Sequence, residues 1–90
     1  MGFDMKYRIE WQHKAIRQLV KLKNQTAQKR ITQAVRAFGE GQPCDVRRLI
    51  NHRYTHRLRV GDWRVLMTIQ EQEIHIAYIE EVKKRDERTY

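Results

Sequence analysis

Three arginines, Arg57, Arg59 and Arg64, flank the dipeptide Gly61-Asp62 in a stretch that alternates apolar with polar residues. A two-residue loop with glycine in its first central position signals a type II′ hairpin. With Gly61-Asp62 as that loop, Val60 faces Trp63, Arg59 faces Arg64 and Leu58 faces Val65. Arg57 then lies diagonal to Arg64 on the same side, and no carboxylate of the hairpin strands joins them. Like charges placed opposite each other destabilise an antiparallel pair. A solvated face on which the long side chains splay apart is one reading of such a cluster. The other is a phosphodiester site, because the guanidinium fork matches the geometry of phosphate oxygens.

The charged end of the chain adds to the second reading. Lys83, Lys84 and Arg85 follow the last apolar alternation, and Tyr90 comes after them. Basic groups followed by a base-stacking aromatic are the parts of a single-stranded RNA site. Arg53 and His56, at the start of the hairpin, extend the set of RNA-binding candidates. Cleavage of RNA by a ribose 2′-oxygen needs a base, cations for the phosphorane and an acid for the departing 5′-oxygen. Arginines supply the cations but are poor bases, since a guanidinium stays protonated. Lys83 or Lys84 serves as base where neighbouring cations favour the neutral amine. His75 does so if its strand register turns it to the arginine side. Glu80 and Glu81 are further candidates, with charge pairing to the basic tail as their alternative role.

Other chemistry finds little footing. His52 and His56 are four residues apart, a zinc spacing on a helix, but here they lead into a strand without a further ligand cluster, so neither metal nor cofactor is expected. The single cysteine, Cys44, excludes an internal disulfide and reads as an unreactive thiol in a loop. The sequence has no glycine-rich phosphate loop and no G-x-S-x-G motif. The basic helix faces are not followed by a recognition helix, which argues against a helix-turn-helix.

Several elements must position the arginines. Residues 6–11 alternate Tyr7, Ile9 and Trp11 with charged residues, the pattern of a half-buried strand. Ala15, Ile16, Leu19 and Val20 then fall at helical spacing, and Asn24 is placed to end that helix in a left-handed conformation. Ala27, Ile31, Ala34, Val35 and Phe38 form the stripe of a second helix, stopped by Gly39, Gly41 and Pro43. Tyr54, His56, Leu58 and Val60 share one strand face, as do Trp63, Val65, Met67 and Ile69 on the next strand. Ile74, Ile76 and Tyr78 alternate with His75, Ala77 and Ile79 on a last strand. The expected fold class is α+β in the order β-α-α-β-β-β, an antiparallel sheet with a two-helix hairpin on one face. Residues 1–90 make one domain with a basic tail at 83–90.

Composition fits a nucleic-acid partner. The chain has 90 residues, is 40% hydrophobic and 33% charged, and carries a net charge of +8. Its pI is near 10.1 and its mean hydropathy −0.87. The excess charge lies among periodic apolar residues, so it belongs to a folded body, not to a disordered arm. No apolar run approaches the roughly 20 residues of a membrane span, and the N-terminus lacks the apolar core of a signal peptide. A cytoplasmic protein without membrane contact is expected.

The string Tyr54-Thr55-His56-Arg57-Leu58-Arg59-Val60-Gly61-Asp62-Trp63-Arg64-Val65 resembles the hairpin of the RelE/ParE toxin superfamily. Val46-Arg47-Arg48-Leu49 is similar to the segment that precedes it there, and Arg85 with Tyr90 matches the basic-then-tyrosine C-terminus. The likeness spans nearly all of residues 5–90. It implies a RelE-like fold and the toxin of a type II toxin–antitoxin pair. In the RelE branch such a toxin is an mRNA interferase, a metal-independent endoribonuclease that cuts mRNA in the ribosomal A site and inhibits translation. In the ParE branch it inhibits DNA gyrase without nuclease activity, generally without the catalytic basic and tyrosine residues. Their retention here favours RelE. The resemblance implies catalytic roles for Arg57, Arg64 and Tyr90 and for Lys84 or Arg85 at the basic position after the last strand, beside the RNA-binding candidates Arg53, His56, Arg59 and Lys83. It also implies a cognate acidic antitoxin, in assemblies up to a heterotetramer. The chain departs from the family in having Thr55 and Arg57 where lysines are frequent, and Asn51-His52-Arg53 where a glycine is usual. No terminal helix is expected beyond Tyr90.

Overall fold

The computed structural model describes residues 6–85. Its elements are β1 (Arg8–Trp11), α1 (His13–Lys21), α2 (Gln25–Gly39), β2 (Val46–Arg48), β3 (His56–Val60), β4 (Trp63–Glu71) and β5 (His75–Lys84). The α+β class and the helical pair are as the periodicity predicts. The sheet differs in two respects. It has five strands in the order β1-β5-β4-β3-β2, and β1 runs parallel to β5. β2 is three residues long, too short for alternation to reveal it, and it pairs Val46 with Leu58 and Arg47 with Arg57. The direction of β1 was beyond reach because alternation reports which face is buried, not which way a strand points. Antiparallel pairing from β2 through β5 makes β5 oppose β2, and β1 lies beside β5 in the same direction.

The helical stripes face one side of this sheet. Ala15 from α1 and Ile31, Val35 and Phe38 from α2 join Leu58, Val60, Val65, Met67, Ala77, Ile79 and Val82 in a single buried cluster. Each large side chain buried this way contributes roughly 1.5–3 kcal/mol relative to exposure. Trp11 and Trp63 pack partly buried against the cluster. Gly39 allows α2 to approach β1: a Cβ there would come within 2.8 Å of Ile9, and the glycine carbonyl accepts a 2.9 Å bond from the Tyr7 N–H.

Asn24 does not end α1. Its φ is −138°, and its side chain accepts from the Ala27 N–H, so it is the N-cap of α2, with Leu22 closing α1. Asparagine serves at both helix ends, and here the orphan N–H groups of α2 claim it. The last carbonyls of α1 are met from α2 instead. The Gln28 side-chain amide donates to Leu19 at 3.0 Å and to Leu22 at 2.7 Å, stitching the two helices together. No helix among the described residues is long and apolar enough to cross a membrane.

Candidate functional site

The hairpin takes the register predicted from its loop. Leu58 pairs with Val65, Arg59 with Arg64 and Val60 with Trp63. Gly61 has a φ of +58° while Asp62 stays at negative φ, as a type II′ turn requires. Leu58, Val60 and Val65 enter the core under the helices, so the alternating Arg57, Arg59 and Arg64 project from the opposite face. Neighbouring strands extend the array. Arg64 pairs with Lys83 on β5, making a row of three cations across three strands, and Arg57 pairs with Arg47 on β2. The Arg85 N–H donates to the Asp62 carbonyl at 2.7 Å, which ties the end of β5 to the hairpin turn.

These strands enclose a groove of about 470 Å³, lined by the guanidinium-bearing residues Arg47, Arg48, Arg57, Arg59, Arg64 and Arg85. Asp45 is the one carboxylate in its wall, and Leu49 and Ile50 complete it. Two unit charges at a cross-strand spacing of about 5 Å repel by close to 1 kcal/mol even in bulk water. Six such groups around one groove make a strong site for an anion carrying several charges.

A second charged cluster lies beside it. The chain shifts register between Leu66 and Met67, so that Glu81 pairs with Leu66 next to the Arg57 position. Glu81 is 5% exposed. Its carboxylate accepts from the Tyr54 hydroxyl at 2.6 Å and the Gln18 amide at 3.3 Å. Lys14 lies at 3.3 Å and Lys83 at 3.8 Å. Burial alone would raise the Glu81 carboxyl, but the hydrogen bonds from Tyr54, Gln18 and Lys14, with the charge of Lys83, hold it down to about 2. The same bond pushes the Tyr54 phenol up, as do its burial and the nearby negative charge. The Gln18 carbonyl meanwhile accepts from the Val82 N–H at 2.7 Å, anchoring α1 to β5.

The structure brings Arg57, Arg59, Arg64 and Arg85 together around the groove, with Lys83 in the adjoining row position. It does not bring Lys84, Arg53 or His56 there. Lys84 pairs with Trp63 and so alternates to the opposite face from Lys83. Arg53 lies over the Tyr54 ring, 5.6 Å from its centroid. His56 lines a separate hollow with His52, Tyr54 and Glu71, and its ring Nδ1 is 2.8 Å from the Thr55 hydroxyl. Burial, followed by the charge of Arg48, lowers its pKa. Tyr90 lies outside the described residues. Among the base candidates, His75 shares the strand phase of the buried Ala77 and Ile79 and sits 5.7 Å from the Tyr7 ring, on the helix side. Glu81 is committed to its four partners.

Arg47 and Arg48 as groove residues escaped the sequence reading. Their signal was the pairing of a three-residue strand, which only the fold reveals. The Tyr54–Glu81 bond spans 27 residues and left no local pattern to find.

Neither a family model nor a curated protein matches the sequence. A solved structure does match. A chain in the crystal structure of the archaeal RelE–RelB complex from Pyrococcus horikoshii OT3 is similar over 92% of this chain and 99% of that chain, with a TM-score of 0.71 and 23% sequence identity. The five-stranded sheet, its helical pair and the hairpin that carries the arginines are thus arranged in a RelE-like fold.

Proposed function

We propose that this protein is the toxin of a type II toxin–antitoxin pair, a ribosome-dependent endoribonuclease that cleaves mRNA in the A site and stops translation. The observation that carries this reading is the groove with its six arginines, open on the face of a RelE-like sheet opposite the buried cluster. A net charge of +8 suits docking among ribosomal RNA phosphates, with affinity that falls steeply as salt rises.

Arg64 holds the scissile phosphate from the middle of its row, with Arg59 and Lys83 paired on either side. The substrate's 2′-hydroxyl gives up its proton, and the oxygen attacks the adjacent phosphorus. The bond to the 5′-oxygen breaks, leaving a 2′,3′-cyclic phosphate and a 5′-hydroxyl that has taken up a proton. Arg57, Arg64 and Arg85 stabilise the charge that builds on the phosphorane, worth about 10²–10³ in rate for a single well-placed donor. Tyr90 stacks on a base, while Lys84, turned to the opposite face from Lys83, takes no part at the phosphate. A base is still needed, and no arginine serves. Glu81 is occupied and His75 faces the helices, which leaves Lys83, Glu80 or a group of the ribosome for the 2′-hydroxyl proton.

The similar archaeal chain was solved in a complex with RelB. By the same logic the partner here is an acidic antitoxin whose amphipathic segment covers the arginine face, in assemblies up to a heterotetramer. Complementary charge makes its association fast and salt-sensitive. Inducing this protein in growing bacteria tests the whole reading. Primer extension should map new mRNA ends within translated codons soon after induction, and Arg64→Ala should abolish them. Intact mRNA together with failing DNA supercoiling would overturn the reading in favour of gyrase inhibition.

A further inference from the structure

Four large apolar side chains stand exposed among the described residues: Ile16, Val20, Ile50 and Ile74. Ile50 is the most open at 84%, and of the four it alone lines the arginine groove. Half-buried Leu49 continues the same wall. Removing an isoleucine side chain from water is favourable, so its display at the mouth of a charged groove forgoes stability.

The turn that presents Ile50 is held in shape. The Leu49 N–H donates to the Thr55 carbonyl at 2.8 Å, closing the segment just after β2. Asn51 follows Ile50 with a φ of 53°, a left-handed conformation that asparagine tolerates better than most residues. The Tyr54 N–H donates to the His52 ring at 3.1 Å, and the Tyr54 hydroxyl is anchored on Glu81. Ile50 is therefore set beside the guanidinium groups by bonds at both ends of its turn.

A nucleotide has matching parts: an anionic phosphate and, one sugar away, a base whose flat faces are apolar. We propose that Leu49 and Ile50 form a ledge that takes a nucleobase of single-stranded RNA whose phosphates occupy the arginine groove. The proposal rests on reading the groove as an RNA site and adds a base-contacting element to it. The two-residue ledge is matched in size to one base, whereas a docked helix presents anchors along two or more turns. Contact with a base face is sequence-tolerant, since every base has one. The ledge thus strengthens binding to bases without selecting among them.

Fluorescence anisotropy with two strands tests this. One is a short single-stranded RNA with 2′-fluoro groups, which lacks the attacking hydroxyl. The other is an abasic strand with the same number of phosphates. Wild-type protein should bind the base-bearing strand more tightly. Ile50→Ser should weaken that binding about fivefold to tenfold, the effect of losing part of one buried apolar side chain, and leave the abasic strand unchanged. Ile50→Phe should bind the base-bearing strand at least as well as wild type. An Ile50→Ser variant that binds the base-bearing strand like wild type, or loses both strands equally, overturns the ledge while the groove stands as an RNA site. Wild-type protein that binds neither strand overturns the RNA reading of the groove and the ledge with it.

Discussion

Glu81 and the groove arginines lie on neighbouring positions of one sheet, yet their charges are handled in opposite ways. Glu81 is buried, and Tyr54, Gln18, Lys14 and Lys83 surround its two oxygens. A carboxylate removed from water costs several kcal/mol, which partners at this distance offset. The groove gathers six guanidinium groups around one carboxylate and leaves the assembly open. Its mutual repulsion stays in the free protein. Charge satisfied internally ties elements together, here α1, β5 and the turn before β3. Charge left in excess of one sign raises the local concentration of a ligand of the other sign. One cluster is a structural use of charge, and the other, on the function proposed above, is a binding use.

The largest expected effect is at Arg64. Arg64→Ala should reduce cleavage and growth inhibition by about a hundredfold or more, as expected for removal of one cation from a developing phosphorane. Its melting temperature should fall less than that of a variant at the buried Glu81, because Arg64 is half-buried on the groove face, outside the core cluster. Glu81→Ala should behave in reverse. The substitution takes the acceptor from the Tyr54 hydroxyl and the Gln18 amide, and a hydrogen bond to a charged group contributes about 1.5–3 kcal/mol, a large share of the stability of a domain of this size. Calorimetry should show a melting point many degrees lower, with activity lost only in proportion to the folded fraction. A cooperatively folded, inactive Glu81→Ala would break the comparison by making Glu81 part of the site.

The helices and the hairpin were legible because they depend on local periodicity. The stripe Ala27, Ile31, Ala34, Val35 and Phe38 predicts α2, and Gly61-Asp62 predicts the pairing of Arg59 with Arg64. The meeting of the hairpin arginines was legible for the same reason, since the loop sets which side chains face each other. What escaped depends on distant parts of the chain. β2 exists because β3 offers it an edge, and Arg47 reaches the groove only through that pairing. Lys84 was grouped with Lys83 by adjacency, but successive strand residues point to opposite faces. Asn24 carried two local meanings, and the neighbouring helix decided between them.

The pH response sharpens the contrast from the structural side. The Glu81 carboxyl lies at about 2 in the folded protein, below its ordinary value of 4.5. A depressed carboxyl stabilises the fold above its unfolded pKa, and that contribution is lost as pH falls through the folded value. Wild-type protein should therefore lose stability between about pH 5 and pH 2 more steeply than Glu81→Gln, which cannot titrate there. Parallel acid-melting curves for the two proteins would remove Glu81 from its place as the satisfied charge. Tyr54→Phe should cost about 1.5–3 kcal/mol, the range for a hydrogen bond to a charged group, with the thermal melt again as the readout.

The smallest effect is the most direct probe of the groove. Arg59 is exposed and stands opposite Arg64 across the β3–β4 ladder. Arg59→Ala removes one member of a like-charge pair, which should stabilise the free protein by roughly 0.2–1 kcal/mol. In a domain of this size that raises the melting temperature by about one to several degrees. The gain is electrostatic, so it should be largest at about 0.01 M salt, where charges interact over about 30 Å, and nearly vanish at about 1 M, where they interact over about 3 Å. Activity should fall in the same variant, a stability gain at the expense of function. A melting temperature that drops at low salt would mean that Arg59 contributes to the fold through its contacts. The groove would then hold its charge as Glu81 does, and the distinction between the two clusters would fail.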